Sequence, residues 1–395
     1  PVAGVGVNAW VVAFAIGPSS ATSILFGLMP ALATSAGLNA GLKQGTRGTT
    51  HGRRRFRDSM IVLQVAASLV LLICAGLLIQ SFARVQRADP GFNARNVLTF
   101  ELVLPLSHYG EPERRLEFFN AFHSRLQTVP GVVSVGAVDR IPFGGQQGGS
   151  PLRVVGRNVD PRAPQPMLRP SRILPGYFES LEVPVRRGRN FTSADTPNTT
   201  PVAIIDETAA LRYFPNGEDP IGRQVADVEP GLTATIVGVV GSVKRRDLSV
   251  APEMSVYHAA TQRVGAVMTF TVKSATDPLA LIPAIQHELA ELDPLLPLTR
   301  TITMEQRLSD SLARRRLSMQ LMLLFGLAAL LHAATGLYAV LSYVVDRRRR
   351  EMGIRVALGA RPRQVIELVA TQGLLPVALG IAVGLAAAIA ATRLL

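Results

Sequence analysis

The chain has 395 residues, of which 48% are hydrophobic and 17% charged, with a formal net charge of +13 and a mean hydropathy of +0.27. Those totals exclude an ordinary soluble basic protein, which is less apolar, and a wholly intramembrane one, which carries less charge. The apolar residues fall into a few long runs with charge between them, and the 15 Phe, 6 Tyr and single Trp do not interleave with Lys and Arg as stacking on bases requires, so no nucleic-acid partner is expected.

The first residues show neither a starting Met nor a signal-peptide layout, and both ends lie in or near apolar runs. That is the pattern of a piece of a longer polypeptide. About twenty apolar residues cross a bilayer core, and four stretches qualify. They are 10–34 (the least hydrophobic, with Ser19, Ser20, Thr22 and Ser23), 59–82, 317–345 and 369–395, where Pro376 predicts a kink. Cys74, the one cysteine, lies inside the second run, which excludes a disulfide or thiolate cluster and suits a small apolar filler.

Short loops rich in Lys and Arg stay in the cytoplasm. One holds Lys43, Arg47, Arg53, Arg54, Arg55 and Arg57. The other holds the arginines at 347–350 with Arg355, Arg361 and Arg363. Segment 83–313 is therefore extracytoplasmic, and Arg314, Arg315 and Arg316 are expected to form an outer interfacial collar. His332 is a lone mid-span histidine, for which a bond to a neighbouring helix or a water is the expected role. Gly380 and Gly384 form a small-xxx-small pair suited to close helix packing.

After the second run the pattern changes. Residues 96–104 alternate as a strand, 111–128 carry Leu116, Phe119, Phe122 and Leu126 at helical spacing, and 132–138 read as a strand again. A second unit follows the same order, with a strand at 267–273, a helix at 278–292 and a strand at 296–302. Two split β-α-β units of this kind pair into a ferredoxin-like layer. Between them, 142–261 is rich in Gly and Pro, with short strands expected at 152–155, 202–205 and 233–240 and short helices at 177–181 and 207–213. It reads as an inserted strand-rich subdomain. The expected fold class is a multi-pass α-helical membrane protein with an α+β periplasmic domain.

No G-x-x-x-x-G-K-[ST] loop, H-E-x-x-H pair or G-x-S-x-G elbow occurs in the sequence. No catalytic, cofactor or metal site is predicted, and the chain is not expected to be an enzyme. Asp139 beside Arg140, and Asp206 beside Glu207, are expected to be solvated surface carboxylates. The most informative segment is 346–363, DRRRREMGIRVALGARPR. It reads as a short amphipathic helix on the inner membrane face, either a basic anchor or a docking element for a cytoplasmic partner.

Within that segment, R-R-R-R-E-M-G-I-R-V-A-L-G-A resembles the signature of the FtsX-like permease domain of the MacB/LolC/FtsX class of ABC transporter. Asp89 to Asn93 (DPGFN), Pro175 to Phe178 (PGYF) and Asn216 to Arg223 (NGEDPIGR) resemble phrases of the MacB-like periplasmic core domain. The resemblance implies four regions. Residues 1–57 would be the last span and cytoplasmic tail of a preceding permease copy, 58–82 a span, 83–313 the periplasmic core domain, and 314–395 the permease domain with its coupling helix at 347–363. It further implies the second half of a duplicated, acidobacterial-type permease without a fused ATPase, truncated at both ends, in a bacterial inner membrane. The implied partners are a separate ABC ATPase, the other permease half, the lipid bilayer, and a periplasmic adaptor or substrate. The implied coupling residues are Arg350, Glu351, Met352, Gly353, Ile354, Arg355, Ala357, Leu358, Gly359 and Ala360. Substrate efflux or lipoprotein release is the implied task, with control of an external cell-wall hydrolase, or a non-transporting sensor or scaffold, as alternatives.

Overall fold

The computed structural model describes residues 16, 17, 20, 49–145, 148–151, 153–155, 167–226, 233–347 and 362–394. The chain divides into two compact units, Pro1–Leu71 with Gly326–Leu395, and Leu72–Phe325.

The second unit is built on a mixed twelve-stranded sheet. Its first part is the pair of split units. Strand β1 (Val97–Val103), helix α2 (Pro112–Thr128) and strand β2 (Val132–Val138) form one. The other comprises β11 (Val267–Ser274), a 3₁₀ turn at Pro278–Leu281, α5 (Ile282–Ala290) and β12 (Thr299–Thr303). These strands lie in the order β12-β1-β11-β2, all antiparallel, the ferredoxin-like arrangement that the two units predict. The expected helix over 278–292 is shorter and begins as 3₁₀, because Asp277 caps the turn by accepting from Leu279 N at 3.0 Å and Pro283 fits only the first turn of the α segment.

Helix α2 forms because Phe119, Phe122 and Leu126 recur on one face, all three fully buried. They pack on Phe100 and Phe270, opposite each other on β1 and β11. The two rings stack with centroids 5.5 Å apart, and Phe122 meets Phe270 edge-on at 5.1 Å. Each such ring removed from water contributes about 1.5–3 kcal/mol, so this aromatic cluster anchors the layer.

The inserted region joins the same sheet instead of forming a separate layer. It holds β3 (Ser150–Pro151), β4 (Arg153–Val154), β5 (Met167–Leu174), α3 (Tyr177–Ser180), β6 (Val185–Gly188), β7 (Val202–Asp206), α4 (Glu207–Tyr213), β8 (Gln224–Ala226), β9 (Thr233–Val240) and β10 (Ser255–Ala259). The link is short: Ala137 faces Leu174 and Val138 faces Ile173 across β2 and β5. β5 with β10 and β7 with β9 run parallel. Strand β7 is buried along its whole length, with Val202 and Ile204 in one hydrophobic cluster and Ala203 and Ile205 in another. That two-sided burial is what a central strand with period-two side chains requires.

Among the described residues there are also three long helices. They are α1 (Thr49–Gln86), α6 (Met304–Arg347) and α7 (Pro362–Leu394, continuous through Pro376). Among the described residues two helical stretches are long and apolar enough to cross a membrane, Asp58–Gln86 and Arg315–Gly336, and Leu374–Ala390 is a shorter apolar helix. The expected first span, 10–34, lies outside the described residues.

Candidate functional site

In the unit that joins Pro1–Leu71 to Gly326–Leu395, the two small residues of α7 meet α1. Gly380 and Gly384 are buried. A Cβ on Gly380 would stand 2.8 Å from Val65 Cβ and 2.9 Å from the Val62 carbonyl oxygen, and one on Gly384 would stand 2.9 Å from Ala66 Cα. Contacts this short leave no room for any side chain, so the two backbones touch. On another face of α1, Ser68 Oγ donates to Gln64 O at 2.8 Å and to Ala329 O of α6 at 3.0 Å, and Gly336 backs onto the Gln64 amide. Helix α1 is thus gripped by α6 and α7 together. His332 does not share in this. Its side chain is exposed on α6. The ten coupling residues from Arg350 to Ala360 lie outside the described residues.

In the unit Leu72–Phe325, the sheet is attached to both long helices by short, stiff connections. Helix α6 follows β12 with no intervening residue. Its first residue, Met304, is fully buried, and Arg307 Nη2 donates to Thr99 Oγ1 at 3.1 Å, while Thr99 itself donates to Ile302 O. Three turns further on, Arg315 Nη2 donates to Asp247 Oδ2 and Ser249 Oγ, both at 2.8 Å. Arg315 thus ties α6 to the loop after β9. After α1, the DPGFN phrase is clamped: Lys244 N donates to Pro90 O at 2.9 Å, Asn93 N to Leu181 O at 2.8 Å, and Phe92 is buried. Gly91, at φ +82, runs so close to Ser242 O that a Cβ would overlap it.

The other two phrases are also backbone requirements. Gly176, at φ +88, lets PGYF turn against Val135 O and seat Tyr177 and Phe178 in the core. In NGEDPIGR, Asn216, Gly217 and Gly222 all have positive φ, and Gly222 N donates to Ile236 O at 2.8 Å, starting the pairing of β8 with β9.

Of the carboxylates expected at the surface, Glu207 is partly exposed and pairs with Arg186 at 3.3 Å, whereas Asp139 is half-buried and Asp206 is not at the surface at all. Asp206 is fully buried, caps α4 by accepting from Ala209 N at 2.9 Å, and also accepts from Ser255 N at 3.1 Å. Burial pushes its carboxyl up to about 6, against the pull of those bonds. Asp139 accepts from Arg172 N at 2.8 Å, and its carboxyl is likewise raised, chiefly by burial. Both hold strands together, since each acid bridges a strand end to a neighbouring backbone amide. Sequence reasoning also missed a cluster of arginines at 140, 169, 245 and 246, which the sheet gathers from three segments. The K-R-R run at 244–246 was its one visible sign.

Residues 67–291 match the MacB-like periplasmic core domain, and residues 323–395 match the FtsX-like permease C-terminal region. The chain belongs to the family of permeases with a MacB-like periplasmic core domain. Similar proteins include the macrolide export ATP-binding/permease protein MacB of Rhodospirillum rubrum, 28% identical over 55% of this chain and 35% of that protein. Another is the protein of the same name from an Azoarcus species, 27% identical over 53% of this chain and 33% of that protein. This permease chain spans about a third of the length of those relatives. Among solved structures, the periplasmic region of MacB from Actinobacillus actinomycetemcomitans is similar at a TM-score of 0.37 and 15% identity, covering 56% of this chain and 95% of that one.

Proposed function

We propose that this permease is a multi-pass inner-membrane subunit that converts ATP hydrolysis on a separate ATPase into movement of its periplasmic domain, and that this movement expels a periplasmic substrate or releases a lipoprotein. The observation that supports the reading most is the direct fusion of α6 to β12, reinforced by Met304, Arg307 and Arg315. A flexible loop at that point would absorb a displacement of the helix. A strand that becomes a helix without a break passes it on to the sheet.

On this reading the segment 351–360 docks on the ATPase. The close backbone seam at Gly380 and Gly384 keeps α7 moving with α1, and the Ser68–Ala329 bond ties α1 to α6, so that both attachments of the domain respond together. Gly353 would allow close approach of the partner, and Arg355 would supply a charged contact. Replacing Arg355 with Glu, or Gly353 with Leu, is expected to leave the protein folded and in the membrane while the ATPase turnover that it stimulates falls about tenfold or more, as for a lost contact to a charged group. Turnover equal to wild type in both variants would exclude this docking site.

A further inference from the structure

We propose that a cavity of about 280 Å³ beside the first turns of α6 is a binding site for a phosphate group. Arg140, Arg169, Arg245 and Arg246 line it together with Glu253, and Ser311 of α6 closes one side. Four arginines and one glutamate leave a lining charge of three positive. Glu253 is already shared, since Arg169 reaches it through Nε at 3.0 Å and Nη2 at 3.2 Å, and Arg246 pairs with the same carboxylate. Among the described residues neither Arg140 nor Arg245 has a carboxylate within ion-pair distance. Arg140 Nη1 donates to Pro170 O at 3.2 Å. Arg245, 8% exposed, donates through Nη2 to Arg140 O at 2.5 Å and to Ser171 Oγ at 2.8 Å. Asp139 and Asp206 act on it only from further away.

A buried guanidinium without a close counter-charge is costly, and this one is held in place by neutral acceptors. An anion entering the cavity would remove that cost. A carboxylate would neutralise one charge, whereas a phosphate offers more charge and more acceptor oxygens, which suit several planar guanidinium forks at once. The wall supplied by Ile141 and Phe143 is apolar, which fits a phosphate carried on a glycerol or similar stem. Phe143 holds φ at 57, a costly conformation for a bulky residue, and its N–H donates to Arg245 O at 2.7 Å. Strain kept in a cavity wall is characteristic of ligand sites. The phosphate has two possible sources, a free phosphate or a lipid headgroup. Ser311 stands four residues, or about 6 Å along the helix axis, before Arg315, where the apolar stretch Arg315–Gly336 begins. A headgroup at the outer membrane surface would be within reach.

The test uses the full chain in a neutral detergent at low salt, titrated with inorganic phosphate, with dioctanoyl-phosphatidylglycerol and with its zwitterionic phosphatidylcholine counterpart. Saturable binding of phosphatidylglycerol alone supports the site and names a headgroup. Binding of inorganic phosphate as well supports it and names a free phosphate group. Binding of neither overturns the proposal. Arg140→Gln and Arg246→Gln should each weaken binding about tenfold. Glu253→Gln should tighten it severalfold by releasing two arginines, a change that loss of fold cannot mimic. Should Arg140→Gln fail to fold, Arg246→Gln remains, because that side chain is exposed. An equal loss in Arg187→Gln, on the exposed strand β6, or a loss in Glu253→Gln, would overturn the assignment.

Discussion

At the residue scale, the acids show how burial turns an unremarkable charge into a structural element. Asp206 is the plainest case. Its folded value of about 6 lies above the ordinary 3.8, so the folded state holds its proton more tightly than the unfolded chain does. Its contribution to stability is then most favourable below pH 4 and is lost as pH rises through about 6. His123 has the opposite sign in a neighbouring window, because burial lowers it and stability falls as pH drops below its ordinary 6.5. Comparing wild type with Asp206→Asn isolates the acid, since the amide keeps an acceptor for the Ala209 and Ser255 N–H groups and cannot ionise. The variant's advantage should grow from near zero at pH 4 to about 1–3 kcal/mol at pH 7, measured by thermal unfolding of the full chain in detergent. A difference independent of pH would show that Asp206 does not titrate as argued. None of this was legible in the sequence, where an Asp at the end of V-A-I-I-D reads equally well as a solvated strand end. Burial on both sides of β7 is decided by partners far along the chain.

At the element scale, legibility followed periodicity. The strands at 97–103, 132–138, 202–206 and 233–240 and the helix at 112–128 stand close to where apolar spacing puts them, because each buries a face that its own residues define. Strands β3, β5, β6, β8 and β10 were missed. In β5, Arg169, Pro170 and Arg172 break the apolar alternation, and the strand exists because β10 and β2 pair with it. Pairing partners, not propensity, recruit such segments. The helix seam was the reverse case, since a Gly-xxx-Gly spacing carries its own geometry. Gly384→Leu should separate α7 from α1, because its Cβ would fall within 2.9 Å of Ala66 Cα and O. The expected loss is about 2 kcal/mol or more, read as a lowered melting temperature in detergent. A melting temperature equal to wild type would show that the seam contributes nothing to stability.

At the scale of the whole molecule, the sheet, its two attachments and the helix seam make one mechanical proposal. The ferredoxin-like layer has its aromatic core, the inserted strands extend the same sheet, and α6 leaves β12 without a hinge. The two-unit pattern of β-α-β repeats made this layer readable in advance. The fusion of β12 to α6 was not, because residues 303–304 carry no turn or breaker signal and no periodicity marks the exact join. The most direct test purifies the full-length permease from its native membranes in detergent and assays it for a co-purifying ATPase. We expect an ATPase whose turnover changes when the permease is present, and loss of both binding and that change when 351–360 is scrambled. An ATPase that binds and responds equally well to the scrambled chain, or no ATPase at all, would contradict it.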